Sequence, residues 1–207
     1  MTNLRRVVVE GSHSEDQGAF SESILRWKGI PCLGINPRAI EADALTIPDM
    51  HSASLSRNIF GTGRLVVQYR TPAMVLTENH AIGITLDGVM YPMNSERDDL
   101  PTLALTYFPR PSFSLFSSYE AATMAKLATD AKAEFPKSRL GIVVDESGTL
   151  CLNVDGVLCI FGTSQNLSSK LSVAKSQLTA EILLQAEGVT INLMDPKNPV
   201  VRGLRKQ

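Results

Sequence analysis

Long apolar runs are missing from this 207-residue chain, as are a net charge, paired cysteines and all but 6% aromatic residues. Its wholly apolar stretches span only a few residues, whereas a membrane-crossing helix needs about 20. No basic segment followed by an apolar one opens the chain as a secretory signal would. A formal charge of −1, with Lys and Arg scattered along the sequence, leaves no electrostatic footprint for nucleic acid. Cys32, Cys151 and Cys159 form no C-x-x-C pair, and His13, His51 and His80 lie far from them. The close-spaced ligands of a tetrahedral zinc site are therefore not present. What remains is 43% hydrophobic and 20% charged, a globular composition with enough apolar residues for one large domain or two small ones.

Motifs that carry chemistry are equally scarce. There is no G-x-S-x-G elbow, no G-x-x-x-x-G-K-[ST] phosphate loop and no H-E-x-x-H helix. Gly61-Thr-Gly63 precedes a strand pattern rather than a helix, which excludes the dinucleotide reading. Asp87-Gly88 and Asp155-Gly156 lack the alternating acidic ligands of a calcium loop and read as hairpin turns. The adjacent carboxylates Asp98-Asp99 and Asp145-Glu146 fall in polar, turn-like segments, so both pairs are expected to be solvated and ionised rather than tuned for acid–base work. His80 is placed at a turn, and Trp27 is expected to pack a helix on a sheet. No catalytic, cofactor-binding or metal-binding residue is expected, and no enzyme.

The first third reads as strand, helix, helix, strand, strand. Arg5-Arg-Val-Val-Val-Glu10 is a β-branched run ending at Gly11, followed by a polar loop over residues 11–18. A helix over residues 21–28 carries Ile24, Leu25 and Trp27 and stops at Gly29. Asn36-Pro37 starts a second helix, with Ile40, Ala44 and Leu45 as its apolar face. Strands follow over residues 52–57 and 64–70, separated by Gly61 and Gly63.

Beyond residue 72 the rhythm changes to hairpins. Residues 73–76 and 81–86 alternate as strands, and residues 109–114 hold two prolines among serines. Residues 117–135 form a helix with Ser117 and Glu120 at capping-box spacing and Ala121, Met124, Leu127, Ala131 and Phe135 on one face. A strand over residues 140–144 turns at residues 145–148 into the Asp155-Gly156 hairpin. A two-residue turn pairs Val154 with Val157, which sets Cys151 opposite Ile160 and Cys159 opposite Leu152, on opposite faces, with no disulfide expected. A helix over residues 166–187 buries Leu167, Leu171, Ala174, Leu178 and Ile182. Residues 189–194 and 200–202 close the chain as strands. The class is α+β, with a boundary near residue 72: residues 1–72 and a mainly antiparallel β domain with two helices over residues 73–207.

The order strand, two helices, two strands resembles a POTRA domain. Ile47-Pro-Asp-Met-His-Ser-Ala-Ser-Leu-Ser-Arg57 resembles the l-P-x-V-x-x-A-x-V-x-R signature of the FtsQ/DivIB family of bacterial cell-division proteins, and Leu65-Val-Val-Gln-Tyr-Arg-Thr-Pro-Ala73 resembles the strand leaving its POTRA unit. Leu86-Asp-Gly-Val-Met-Tyr-Pro92, Leu100-Pro-Thr-Leu103, Leu152-Asn-Val-Asp-Gly-Val-Leu-Cys-Ile-Phe-Gly162 with Lys170-Leu171, Val189-Thr-Ile-Asn-Leu193 and Val200-Val-Arg202 are similar, in order, to later family motifs. The chain departs from the pattern at Asp49, Tyr69 and Asn192, and the family's cytoplasmic tail and membrane helix have no counterpart in it.

The resemblance implies the extracytoplasmic (periplasmic) portion of a non-catalytic divisome scaffold, without cofactors. It would recruit FtsB/DivIC-type and FtsL-type bitopic partners to the septum through its last strands. Carried over residue by residue, the contact falls on Ile191, Leu193, Met194, Val200, Val201 and Arg202, of which roughly half are expected to face the core. The edges around residues 7–9 and 55–57 would serve a second partner. The alternatives are a POTRA-containing component of an outer-membrane assembly or secretion system, and a small enzyme with a buried, pKa-shifted group in a cleft.

Overall fold

The computed structural model describes residues 2–14, 16–105, 118–144, 149–179, 182 and 188–203. It resolves into two compact units, Met1–Arg70 and Thr71–Gln207.

In the first unit β1 (Arg6–Glu10) is followed by α1 (Gln17–Trp27), a 3-10 turn (Cys32–Gly34), α2 (Pro37–Ala44), β2 (Met50–Arg57) and β3 (Thr62–Tyr69). The sheet order is β1-β3-β2, with β1 parallel and β2 antiparallel to β3. Along β3, Gly63, Leu65 and Val67 face the core while Arg64, Val66 and Gln68 face out, the period-2 pattern of a half-buried strand. Asn36 caps α2, its Oδ1 accepting the Arg38 N–H at 3.2 Å, with Pro37 at the first helical position.

Two expectations need correction here. The first helix begins at Gln17, inside the segment read as loop; Phe20, 2% exposed, anchors its first turn. Leu45 is not on the buried face of α2 but 48% exposed. It lies just past the helix end, five residues beyond Ile40, a rotation of about 140° from that face.

A polar cluster that the sequence does not advertise joins the loop before α1 to β3. The Tyr69 hydroxyl donates to Asp16 Oδ2 at 2.7 Å and accepts the His13 N–H at 3.2 Å, while the His13 ring stacks on the phenol at 3.8 Å. Burial, and then the hydrogen bond to Asp16, push the phenol up to about 12. An unfolded tyrosine ionises near 10. The stabilisation is thus complete below pH ~10 and lost as the pH climbs through the folded value. Tyr69→Phe is expected to flatten the loss of stability between pH ~10 and ~12, read from urea midpoints against wild type.

The second unit contains β4 (Pro72–Leu76), β5 (Ile82–Thr85), β6 (Met90–Pro92), β7 (Thr102–Leu105), α3 (Ser118–Glu134), β8 (Leu140–Val144), β9 (Leu150–Val154), β10 (Val157–Gly162), α4 (Leu167–Gln177), β11 (Thr190–Asn192) and β12 (Val200–Arg202). Among the described residues nine strands form one sheet in the order β12-β11-β10-β9-β8-β7-β4-β5-β6. The sheet is mixed: β4/β7, β7/β8 and β10/β11 are parallel. Five of its eight pairings are antiparallel, in keeping with the mainly antiparallel expectation, while α3 and α4 are the crossovers that make β7/β8 and β10/β11 parallel. Met74, Ile84, Leu103, Leu127, Ile142, Leu152, Phe161, Ile191 and Leu193 make one core with the alanine face of α3.

β4 and β5 do not alternate in burial. Met74, Val75 and Leu76 are all buried, as are Gly83, Ile84 and Thr85, because Tyr91 and Met93 fold across Gly83 on the face away from the helices. α3 buries Ala121, Met124, Leu127 and Ala131 as expected, with Phe135 half-buried. Ser117, the side chain of Glu120, residues 109–114 and the turn at residues 145–148 lie outside the described residues.

The Asp155-Gly156 turn has φ of 51° and 98°, the left-handed pair of a type I′ hairpin. It fixes Val154 opposite Val157, Leu152 opposite Cys159 and Cys151 opposite Ile160, the expected register. All three cysteines are free and buried, and burial pushes the Cys159 thiol up to about 12.

The fourth helix is shorter than the apolar period suggests. It ends at Gln177, where Leu178 leaves the helical region at φ −77°, ψ 69°. Thr179 Oγ1 then accepts the Ile182 N–H at 3.4 Å, the spacing of an N-cap contact. Ile182 is buried all the same.

Candidate functional site

The large sheet has two edges, β12 and β6, and backbone geometry distinguishes them. On one side the Leu158 N–H donates to the Val189 carbonyl at 3.1 Å and the Leu193 N–H to the Ile160 carbonyl at 2.8 Å. The odd-numbered residues of this stretch thus direct their amides to β10, and Thr190 and Asn192 direct theirs to β12. Thr190 pairs with Arg202 and Asn192 with Val200. Val200 and Arg202 therefore bond inward, while Val201, opposite Ile191, turns its N–H and C=O outward. At the other edge the Met93 N–H donates to the Ala81 carbonyl at 2.7 Å and the Thr85 N–H to the Val89 carbonyl at 3.0 Å. That leaves Met90 and Pro92 as the outward positions of β6, and Pro92 has no N–H to offer. Among the described residues β6 is blunted and β12 is open.

The six residues carried over by resemblance separate in the structure. Ile191 and Leu193 are 0% exposed and belong to the core, out of reach of anything laid along the edge. Val201 is half-buried against that core. Met194, Val200 and Arg202 are exposed, the first two at 56% and 47%. β11 is not an edge strand, being paired on both sides. Met194 lies across Gly162 of β10, two strands in from the edge, whereas Val200, opposite Asn192, is exposed on β12 itself beside the outward amide of Val201.

Three features hold this edge in place. Asp195 organises the turn between β11 and β12: its Oδ1 accepts the Lys197 N–H at 3.0 Å and its Oδ2 the Asn198 Nδ2 at 2.8 Å. Those bonds, that from Asn198 first, hold its carboxyl below the usual range. Lys170, 3% exposed, donates its Nζ to the carbonyls of Phe161 at 2.6 Å and Thr163 at 3.1 Å. It thereby ties α4 to the end of β10, and burial lowers its pKa. Gly203 follows β12 at φ +86°, where a Cβ would lie 2.2 Å from the Gly188 carbonyl oxygen. Gly203→Ala is expected to cost about 1–3 kcal/mol locally and to lift β12 from β11, read as at least ten-fold faster hydrogen exchange at the Val200 and Arg202 amides. Sequence reasoning quoted Lys170 only within a motif and missed Gly203. The one available signal was a lysine next to Leu171 on an otherwise apolar helix face.

In the first unit β1 and β2 are both edges. The outward Leu55 N–H on β2 is taken by Glu41 Oε1 at 2.9 Å, whereas no helix side chain covers β1 among the described contacts. The acid–base candidates do not converge. His80 Nδ1 meets Asp98 Oδ1 at 2.8 Å in an exposed pair. Arg97 binds Asp99 at 2.7 Å and holds its carboxyl below the usual range, the reverse of what a general acid needs. Asp145 and Glu146 lie outside the described residues. An open depression of about 800 Å³ on the large sheet is lined by Thr77, Thr102, Lys137, Arg139, Asn153 and Asp155, with the Asp155 carboxylate already accepting the Arg139 N–H at 2.8 Å. Among the described residues no three His, Cys, Asp or Glu side chains gather as a metal site, and no helix is long and apolar enough to cross a membrane.

Compared with known proteins, the chain matches no family model and no curated sequence.

Proposed function

We propose that the chain is the extracytoplasmic part of a cell-division scaffold of the FtsQ/DivIB kind, which holds FtsB/DivIC-type and FtsL-type partners at the septum by adding one of their segments as a strand to β12. The observation that carries this reading is the asymmetry of the two edges: among the described residues, an outward Val201 amide with no partner beside the exposed Val200 on β12, against Pro92 on β6. Strand addition satisfies the outward N–H and C=O and seats side chains of the partner against the exposed Val200. The first unit supports the reading through its strand–helix–helix–strand–strand order with the first strand parallel to the last, an arrangement that resembles a POTRA domain. Such a scaffold works by backbone pairing and needs no cofactor.

The test is a pull-down of FtsB/DivIC-type and FtsL-type ectodomains on the immobilised full chain. Retention of a partner by wild type and its loss on Val201→Pro is the expected pattern. Absence of binding to wild type, or binding that the β12 substitution leaves intact, would overturn the assignment.

A further inference from the structure

Charge in the first unit is sorted by position. Residues 1–70 hold eight Lys or Arg and seven Asp or Glu, close to balance. Yet residues 2–6, 28–38 and 57–63 contain five of the basic residues, Arg5, Arg6, Lys28, Arg38 and Arg57, and none of the acids. These three segments meet at one end of the unit. The Leu4 N–H donates to the Ile30 carbonyl at 2.9 Å, the Cys32 N–H to Thr2 at 3.1 Å and the Arg5 N–H to Gly61 at 2.8 Å, while Arg57 Nη1 donates to the Ile35 carbonyl.

The same end carries apolar surface that nothing described covers. The β2–β3 hairpin tip presents Ile59 at 62% and Phe60 at 75% exposure, and the adjoining 3-10 turn presents Leu33 at 62%. The tip is held rigid: Asn58 Oδ1 accepts the N–H groups of Phe60 at 3.0 Å and Thr62 at 3.1 Å. Exposed isoleucine and phenylalanine on a preformed turn, at the end of the unit where the basic segments meet, match the two components of an interfacial membrane contact, apolar insertion and attraction to anionic headgroups. Glu41 and Glu10 are tied to the Leu55 N–H and to Arg64.

From this juxtaposition we infer that the basic end of the first unit docks on an anionic lipid surface, with Ile59 and Phe60 entering the headgroup layer. The inference stands on this surface alone and is independent of the role given to β12.

Co-sedimentation of the full chain with phosphatidylglycerol/phosphatidylcholine vesicles tests it, with pure phosphatidylcholine vesicles alongside. Wild type is expected to bind the anionic vesicles, to release as salt is raised, and to ignore the neutral ones. Ile59→Ser/Phe60→Ser should weaken binding at least about ten-fold, and Arg5→Gln/Arg6→Gln by about five-fold per residue. An unchanged thermal midpoint shows the tip variant to be folded. Phe60→Trp should add emission that shifts to the blue with anionic vesicles, over the constant background of Trp27. No binding to anionic vesicles, equal binding to neutral ones, or undiminished binding by the folded tip variant would each overturn the inference.

Discussion

Replacing Lys170 with methionine is expected to lower the stability of the second unit by about 2–4 kcal/mol. The substitution keeps an unbranched side chain of similar length, so the packing against Leu171 and Ala174 largely survives. What disappears is the donor for two carbonyls, that of Phe161, which is buried away from water, and that of Thr163, which is only partly so. An acceptor left unsatisfied in the interior costs about 1–3 kcal/mol. Lys175→Met is the control, because the Lys175–Glu134 pair at 2.5 Å is exposed on both sides and should contribute no more than about 1 kcal/mol. Titration gives a second readout. Burial lowers the folded pKa of Lys170 below 10.5, so between those two values the unfolded chain binds more protons. Stability therefore rises with pH across that alkaline window, and the penalty is fully present below it. Lys170→Met should abolish the rise. If urea unfolding at neutral pH shows Lys170→Met no weaker than Lys175→Met, the buried amine is not the tether described.

The second large effect concerns β12 and separates two neighbouring prolines. Val201→Pro removes an N–H that points away from the sheet and leaves the bonds of Val200 and Arg202 to β11 untouched. It should reduce partner capture by at least about ten-fold, through the missing edge donor and the bulk of the ring, while unfolding midpoints stay close to wild type. Val200→Pro deletes an inward bond to Asn192 and should loosen β12 itself, so capture and local protection fall together. Retention of partner by Val201→Pro would place the contact away from this edge. Equal thermal loss in the two variants would show that the alternation of amides along β12 is not as described.

Much of this fold could be read before the coordinates, wherever a local signal is decisive. Asn36-Pro37 begins a helix because cap and ring chemistry act within three residues, and Asp155-Gly156 sets the register of its hairpin because a two-residue turn leaves one solution. The break at Leu178 escaped notice because neither glycine nor proline marks it and the apolar period runs on through Ile182. The three parallel junctions were not legible, since pairing across a crossover depends on contacts far apart in sequence. At the candidate edge, the alternation of residues 189–194 identified a half-buried strand. Only the pairing with β10 shows that Ile191 and Leu193 are internal and that Val201 holds the free amide. Lys170 reads as a surface charge until the carbonyls it meets are seen.

The crossover through α4 also orders events during synthesis. β11 is laid beside β10, and β12 beside β11, so the open edge comes into being only after every other strand of the large sheet has been made. A chain halted before residue 190 would end its sheet at β10, whose Val157-Leu-Cys-Ile-Phe161 run is longer and more apolar than β12 and carries no proline or charge to discourage pairing with another copy. Completion of the last two short strands thus exchanges an aggregation-prone border for a selective one, and immature chains would be sorted from finished ones by the border they expose.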